Sequence, residues 1–393
     1  MLKIIKNMKI GTQIVLVTFL AAVVPAIFLP TAGLAASVNM PASLESSWGN
    51  LISTLTEALR LRDKHETLPD FAYFRADRAS NARRINALLD QAVEILLQGE
   101  ANDLRRQALN LRTDIPALQI ERHDLRNRRV SAPESSRLPW AVTRSTIDER
   151  IAALDEKIRE KERELSSINV KIAGELRKLG LELDDRQIDI FLTSITGDDL
   201  FQNTVIFANV KLVVEKLSVL SGEDRDNLEI NRRYTGMYLV LNDLLIATQK
   251  SLIEKIDEDY KPRLAAIQAE AEKLRAEALE LARQSQFHQS QQDAFRANAE
   301  ANALTIRVAE LYAELLLNQR ENIMATLSEL FRNRDLAENT YRTVRSTGDL
   351  RNLIHSGLEL FDSIHTLSMP QFQPFENETI RREFEEINRR LRR

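Results

Sequence analysis

The 393-residue chain contains no cysteine. That excludes disulfides, thiolate metal sites and cysteine nucleophiles. Glycine (11) and proline (10) are scarce, where average usage would give roughly 28 and 20. A β-rich fold of this length spends both residues in turns, so their scarcity points to long helices. Aromatics make up only 6 % of the chain, which is low for a compact catalytic domain. Sequences of the HExxH, P-loop, GxGxxG and GxSxG types do not occur, so the motif-borne chemistries have no foothold.

No sign of charge dominates. Fifty-four basic and 58 acidic side chains leave a net charge of −4, and the two signs are interleaved. A general nucleic-acid surface needs a basic excess, so no nucleic-acid partner is expected. The five histidines (His65, His123, His288, His355, His365) include no pair at the i, i+4 spacing of a zinc helix. Asp184, Asp185, Asp189, Asp198 and Asp199 fall at expected helix starts, where the helix dipole stabilises them. The run Gly222–Asp226 lacks the glycine a calcium loop needs at its sixth position. No metal, cofactor or catalytic residue is therefore expected, and the chain reads as a non-enzyme.

What is present is helical rhythm. Leu, Ala, Glu, Arg and Gln, all strong helix formers, fill long stretches. Residues 1–36 carry Lys3, Lys6 and Lys9 before an apolar run from Ile14 to Leu29, then small residues. That order of basic, apolar and small residues predicts a secretory signal peptide or, failing cleavage, an N-terminal membrane anchor. Lysines before the span place the remainder outside the cytoplasm: periplasmic or secreted, or anchored at the inner membrane.

Beyond it, 37–130 reads as an N-terminal helical region, with Leu44, Trp48, Leu51, Leu55 and Leu59 at helical spacing. Residues 131–142 form a linker. The segment 143–180 is a coiled coil: Ile147, Ile151, Leu154, Ile158, Leu165, Ile168, Ile172 and Leu179 follow three- and four-residue steps, with Lys161 and Glu175 as polar entries. Residues 181–257 have higher apolar density and predict a compact helical bundle. Residues 258–346 predict long helices, with a seam through Leu264, Ile267, Ala271, Leu274, Ala278 and Leu281. The seam blurs through the Gln-rich 284–293, where a stutter or reversal is expected, and resumes through Leu304, Val308, Leu311, Leu315, Ile323, Leu327 and Leu330.

Residues 347–369 predict an apolar helix, and Thr347-Gly348-Asp349-Leu350 echoes Thr196-Gly197-Asp198-Asp199-Leu200. Residues 370–393 predict an arginine-rich amphipathic helix. Its apolar face is Ile380, Phe384, Ile387 and Leu391, flanked by Arg381, Arg382, Arg389 and Arg390. That face is the expected docking surface for a protein partner or an anionic membrane.

The expected fold is all-α: an elongated antiparallel helical bundle and coiled coil with a compact central helical subdomain. The expected role is a spacer, scaffold or interaction module of the bacterial cell envelope, with homo-oligomers among its partners. Two alternatives share the pattern. One is a secreted pore-forming or membrane-active component using 234–248. The other is a periplasmic sensory bundle that signals through a partner.

Overall fold

A computed structural model describes residues 38, 40–72, 76–134, 142–178, 192, 194, 196–223, 227–284, 286, 288–346 and 378–391. The chain divides into two units, Met1–Ser37 and Val38–Arg393, and the described residues all belong to the second. The expected signal segment and the 347–369 helix, with its Thr-Gly-Asp echo and His355 and His365, lie outside them.

The described residues are all-α. The helices are α1 (Ala42–Ser46), α2 (Trp48–His65), α3 (Arg78–Leu96), α4 (Glu100–Ser131), α5 (Arg144–Lys178), α6 (Gly197–Glu223), α7 (Leu228–Glu254), α8 (Lys261–Arg283), α9 (Gln289–Ser346) and α10 (Glu378–Leu391). Among the described residues there is no strand. The 58 residues of α9 give a contour of roughly 85 Å.

Local chemistry sets the boundaries. Asp77 and Ser80 form a reciprocal capping box at the start of α3, Ser80 N–H donating to Asp77 Oδ1 at 2.7 Å. Asn227 Oδ1 caps α7 by accepting from the backbone N–H groups of Glu229 and Ile230, both at 3.2 Å. Between α3 and α4, Gly99 sits at φ +143° with Ser43 Oγ 3.0 Å from where a Cβ would stand. Glycine alone takes that backbone without strain.

Prolines behave less simply than breakers. Pro116 lies inside α4. Pro262 follows a π-helical turn, Lys255–Tyr260, that links α7 to α8 without interruption. Proline cannot donate to the carbonyl four residues back, and one widened turn upstream absorbs the missing bond. The Gln-rich stretch does reverse the chain: α8 ends at Arg283 and α9 begins at Gln289.

Two apolar cores form. The first joins α2, α3, the later part of α6, the first part of α7 and the later part of α9, around residues such as Leu55, Leu96, Val210, Tyr238 and Leu330. The second joins the start of α4, the end of α5, the start of α6, the α7–α8 junction, the middle of α9 and α10. Helix α6 feeds both, because it is apolar on every side: Phe201, Ile206, Val210, Val213 and Leu217 are all buried. Residues 181–257 therefore do not pack only on themselves; α6 and α7 share their cores with the helices on either side.

Away from the cores the helices pair as antiparallel hairpins. Helices α4 and α5 pack chiefly on each other, as do α8 and much of α9. The α4–α5 seam keeps Ile147 and Ile158 buried but is tied by charge as well. Arg122 meets Asp155 at 2.8 Å, Lys161 meets Asp114 at 2.8 Å, and Arg129 meets Asp148 at 2.5 Å. Its expected heptad slips by one residue at the end: Leu176 is fully buried, while Glu175 turns to Lys178. The α8–α9 seam is alanine-rich, with Ala271, Ala278, Ala282 and Ala299 buried. Leu274, expected in that seam, is 43 % exposed.

Candidate functional site

The sequence singled out the last helix, and α10 is the first place to test. Phe384, Ile387 and Leu391 fall on one face at i, i+3 and i+7. All three are fully buried, in the core that α8 and α9 supply. The Phe384 ring lies 4.3 Å from that of Tyr312. Full burial of such side chains is worth ~2 kcal/mol each before ordering costs. Polar ties fix the register. Tyr312 Oη donates to Asn388 Oδ1 at 2.7 Å. Thr305 Oγ1 donates to Glu383 at 2.6 Å. Arg390 meets Glu270 of α8 at 2.6 Å.

The apolar stripe expected to meet a partner or membrane is thus spent on the chain's own core in this state. The side chains of Ile380 and Arg381 lie outside the described residues. Arg382 and Arg389 are exposed, and Arg389 is paired with Glu386 one turn back. The helix is also less basic than its arginines suggest. Arg381, Arg382, Arg389 and Arg390 are matched by Glu378, Glu383, Glu385 and Glu386.

A second site is one the sequence reading missed. Asp243 sits in the apolar middle of α7. Arg62 of α2 and Arg334 of α9 converge on it, Arg334 Nε donating at 3.1 Å. Arg62 also binds Glu338 of α9. Arg342 extends the chain of charges, meeting Glu338 at 3.0 Å and Glu66 of α2 at 2.6 Å. Beside them Tyr341 Oη donates to Asp63 Oδ2 at 2.9 Å. Arg62, Asp63, Glu66, Arg334, Glu338, Tyr341 and Arg342, but not Asp243, line a cleft of about 580 Å³ between α2, α3 and α9, with Ala82 and Ile85 as apolar wall.

Titration follows from this setting. Burial pushes the Asp243 carboxyl up, against the pull of Arg62 and Arg334. Burial works on Glu338 in the same sense, but Arg62, Arg342 and Arg334 together hold it below its ordinary range. Tyr341 is raised by burial and by its bond to Asp63. A cleft with perturbed groups is where reactive side chains are sought. Here the carboxylates and guanidinium groups are already committed to one another. What the arrangement does is clasp α2, α7 and α9.

The acidic residues at the start of α6 are also in use. Asp198 pairs with Arg105 of α4. Asp199 accepts from Lys255 at 2.7 Å and from the Tyr260 hydroxyl. Burial, then that bond, pushes the Tyr260 phenol far up, so it stays a donor. Asp184, Asp185, Asp189, Asp224 and Asp226 lie outside the described residues. Among the described residues no group of three His, Asp or Glu side chains is placed to hold a metal ion. No helix of the described residues is long and apolar enough to cross a membrane. No family model, curated protein or solved structure matches the chain.

Proposed function

We propose that the chain is a non-enzymatic, exported coiled-coil protein that serves as spacer, scaffold and protein-interaction module of a bacterial cell envelope. One observation carries this reading. The buried surface is spent on interhelix seams, and half-buried charges bind helix to helix, as in the Arg62–Asp243–Arg334 clasp. Paired helices such as α4–α5 hold a fixed separation between their ends and offer long faces to partners. The basic, apolar and small-residue order of residues 1–36 supports export.

Cell fractionation with N-terminal sequencing of the mature protein tests the location. Crosslinking in intact envelopes then tests the role. Recovery from the cytoplasm with Met1 in place overturns the export half of the proposal. An envelope fraction in which the chain crosslinks to nothing overturns the interaction half.

The membrane-active alternative would use 234–248. In the folded chain Tyr238, Leu241, Leu244 and Leu245 of that stretch are buried, and Asp243 is held by two arginines. Insertion would have to break that clasp and move a carboxylate into lipid, at several kcal/mol. Leakage from dye-loaded liposomes at micromolar protein would favour this alternative; intact liposomes favour the scaffold.

A further inference from the structure

Helix α9 carries a second apolar row, outside the seam that the two cores use. Leu317, Met324 and Phe331 recur every seven residues and are 47 %, 41 % and 38 % exposed. Four residues before each stand Ala313, Arg320 and Leu327. The steps therefore alternate between four and three, the spacing of a helix-pairing face. Arg320 does not block that face, because Asp257 draws its guanidinium away, at 2.8 Å. Leu327 is already buried in the first core, so the row borders a packed surface. Scattered exposed apolar side chains are ordinary. A row in heptad register is the kind of surface on which a second helix lies.

Two observations say what would cover it. The first is continuity. One heptad after Phe331 the row reaches Glu338, which Arg62 of α2 binds. Its neighbours Tyr341 and Arg342 are held by Asp63 and by Glu66, at 2.9 Å and 2.6 Å. One end of this face of α9 is thus already an interhelix contact, and the exposed stretch extends it by roughly 20 Å from Phe331 to Leu317. The second observation is charge. Next to the row, on its outer side, Glu314, Glu321 and Asp335 share one heptad position, with Ser328 between them, and all four are exposed. Asp335 touches Arg334 at 3.3 Å, and Lys250 of α7 lies over the Phe331 ring at 5.3 Å. The flank nonetheless presents carboxylates along its length. Flanking charges of this kind choose the partner of a helical pair, and acids choose bases.

We propose that this face of α9 docks an amphipathic helix of a partner protein. The partner helix brings an apolar stripe to Leu317, Met324 and Phe331 and a row of basic residues to Glu314, Glu321 and Asp335. The proposal rests on the reading of the chain as an interaction module and adds the surface and the chemistry of what binds there. A chain that crosslinks in the envelope through another face overturns this proposal and leaves that reading standing.

The test uses the full-length protein and a fluorescein-labelled peptide of about four heptads, with leucine at both core positions and lysine on both flanks. The lysines repel one another and keep the peptide from pairing with itself. Docking predicts saturable binding in the micromolar range, read by anisotropy. Leu317→Glu and Met324→Glu alter exposed side chains, so helicity by circular dichroism should not change, and each should weaken binding at least tenfold. Leu274→Glu, at a comparably exposed leucine of α8, should leave binding as it is. The same peptide with glutamate on its flanks should bind at least tenfold more weakly. No saturable binding overturns the proposal. So does binding that Met324→Glu leaves intact, or binding indifferent to the charge of the flanks. The cysteine-free chain also allows a check for self-pairing. Met324→Cys treated with a short bis-maleimide should stay single. A product at twice the 44.9 kDa chain mass would mean that a second copy holds the face, against the proposal.

Discussion

At the scale of single residues, two positions carry consequences that composition conceals. Gly236 lies in α7 against side chains of α2 and α9. A Cβ there would overlap Leu59 and stand 2.9 Å from Tyr341 Cε2. An alanine normally favours a helix interior by ~1 kcal/mol over glycine. Here the clash decides the sign, because Leu59 and Tyr341 are both buried in the first core and must move to admit a methyl group. Gly236→Ala should lower stability by about 1–3 kcal/mol. Urea denaturation followed by circular dichroism reads this, and a variant more stable than the parent would refute the close approach. Gln319 is the opposite case. It is 2 % exposed, and neither its amide nitrogen nor its amide oxygen meets a hydrogen-bond partner among the described residues. Burying such a group costs about 1–3 kcal/mol. Gln319→Leu has nearly the same volume and should raise the urea midpoint by a corresponding amount; an unchanged or lower midpoint would mean that water satisfies the amide.

At the scale of elements, Gln319 belongs to a pattern. The buried face of α9 runs Ala309, Tyr312, Leu316, Gln319, Ile323, Thr326, Leu330, Asn333, Ala337, Thr340 and Val344. Steps of three and four alternate throughout, as in a heptad seam. Every second entry from Gln319 to Thr340 is polar. A reading that follows apolar residues alone drifts onto Leu311 and Leu315 instead, both only half-buried. Helix existence was legible in the sequence because propensity and periodicity agree along the chain. The reversal at 284–288 was legible in its loss of pattern, and the face of α10 in its i, i+3, i+7 spacing. Which residues fill the α9 seam was not legible, since a buried amide looks like a surface residue. The Asp243 clasp was hidden for a related reason. One aspartate in an apolar run reads as a flaw until Arg62 and Arg334, far away in sequence, are brought to it. Removing Arg62 should leave Asp243 to Arg334 alone and Glu338 to Arg334 and Arg342, at a cost of about 1–3 kcal/mol, less than for a fully buried pair because the remaining partners persist and all the groups are partly solvated. Adding Asp243→Leu to Arg62→Ala should recover part of that loss. A double-mutant cycle with coupling below about 0.5 kcal/mol would show the clasp to be ornamental.

At the scale of the whole molecule, the ion pairs between helices set how the fold responds to acid. Asp257 is held below its ordinary 3.8 by Lys261 and Arg320, against burial. Asp148 and Asp155 are lowered by Arg129 and Arg122 across the α4–α5 hairpin. Glu338 is held below its ordinary 4.5 by three arginines. For each of these the unfolded chain takes up protons at a higher pH than the folded one. Their contribution is therefore complete above the ordinary carboxylate values and is lost as pH falls through the depressed ones. Asp243 works in the other direction, since burial raises it, but it is one group against several. The melting temperature should then be level from neutral pH down to about 5 and fall progressively below about 4.5. Two of these four carboxylates, Asp148 and Asp155, bridge α4 to α5 away from the apolar cores, so the hairpin should loosen first. Amide hydrogen exchange at pH 4 should show α4 and α5 exposed while α6 and α7 stay protected. Uniform loss of protection along the chain would instead mean that the hairpin and the cores unfold as one cooperative unit.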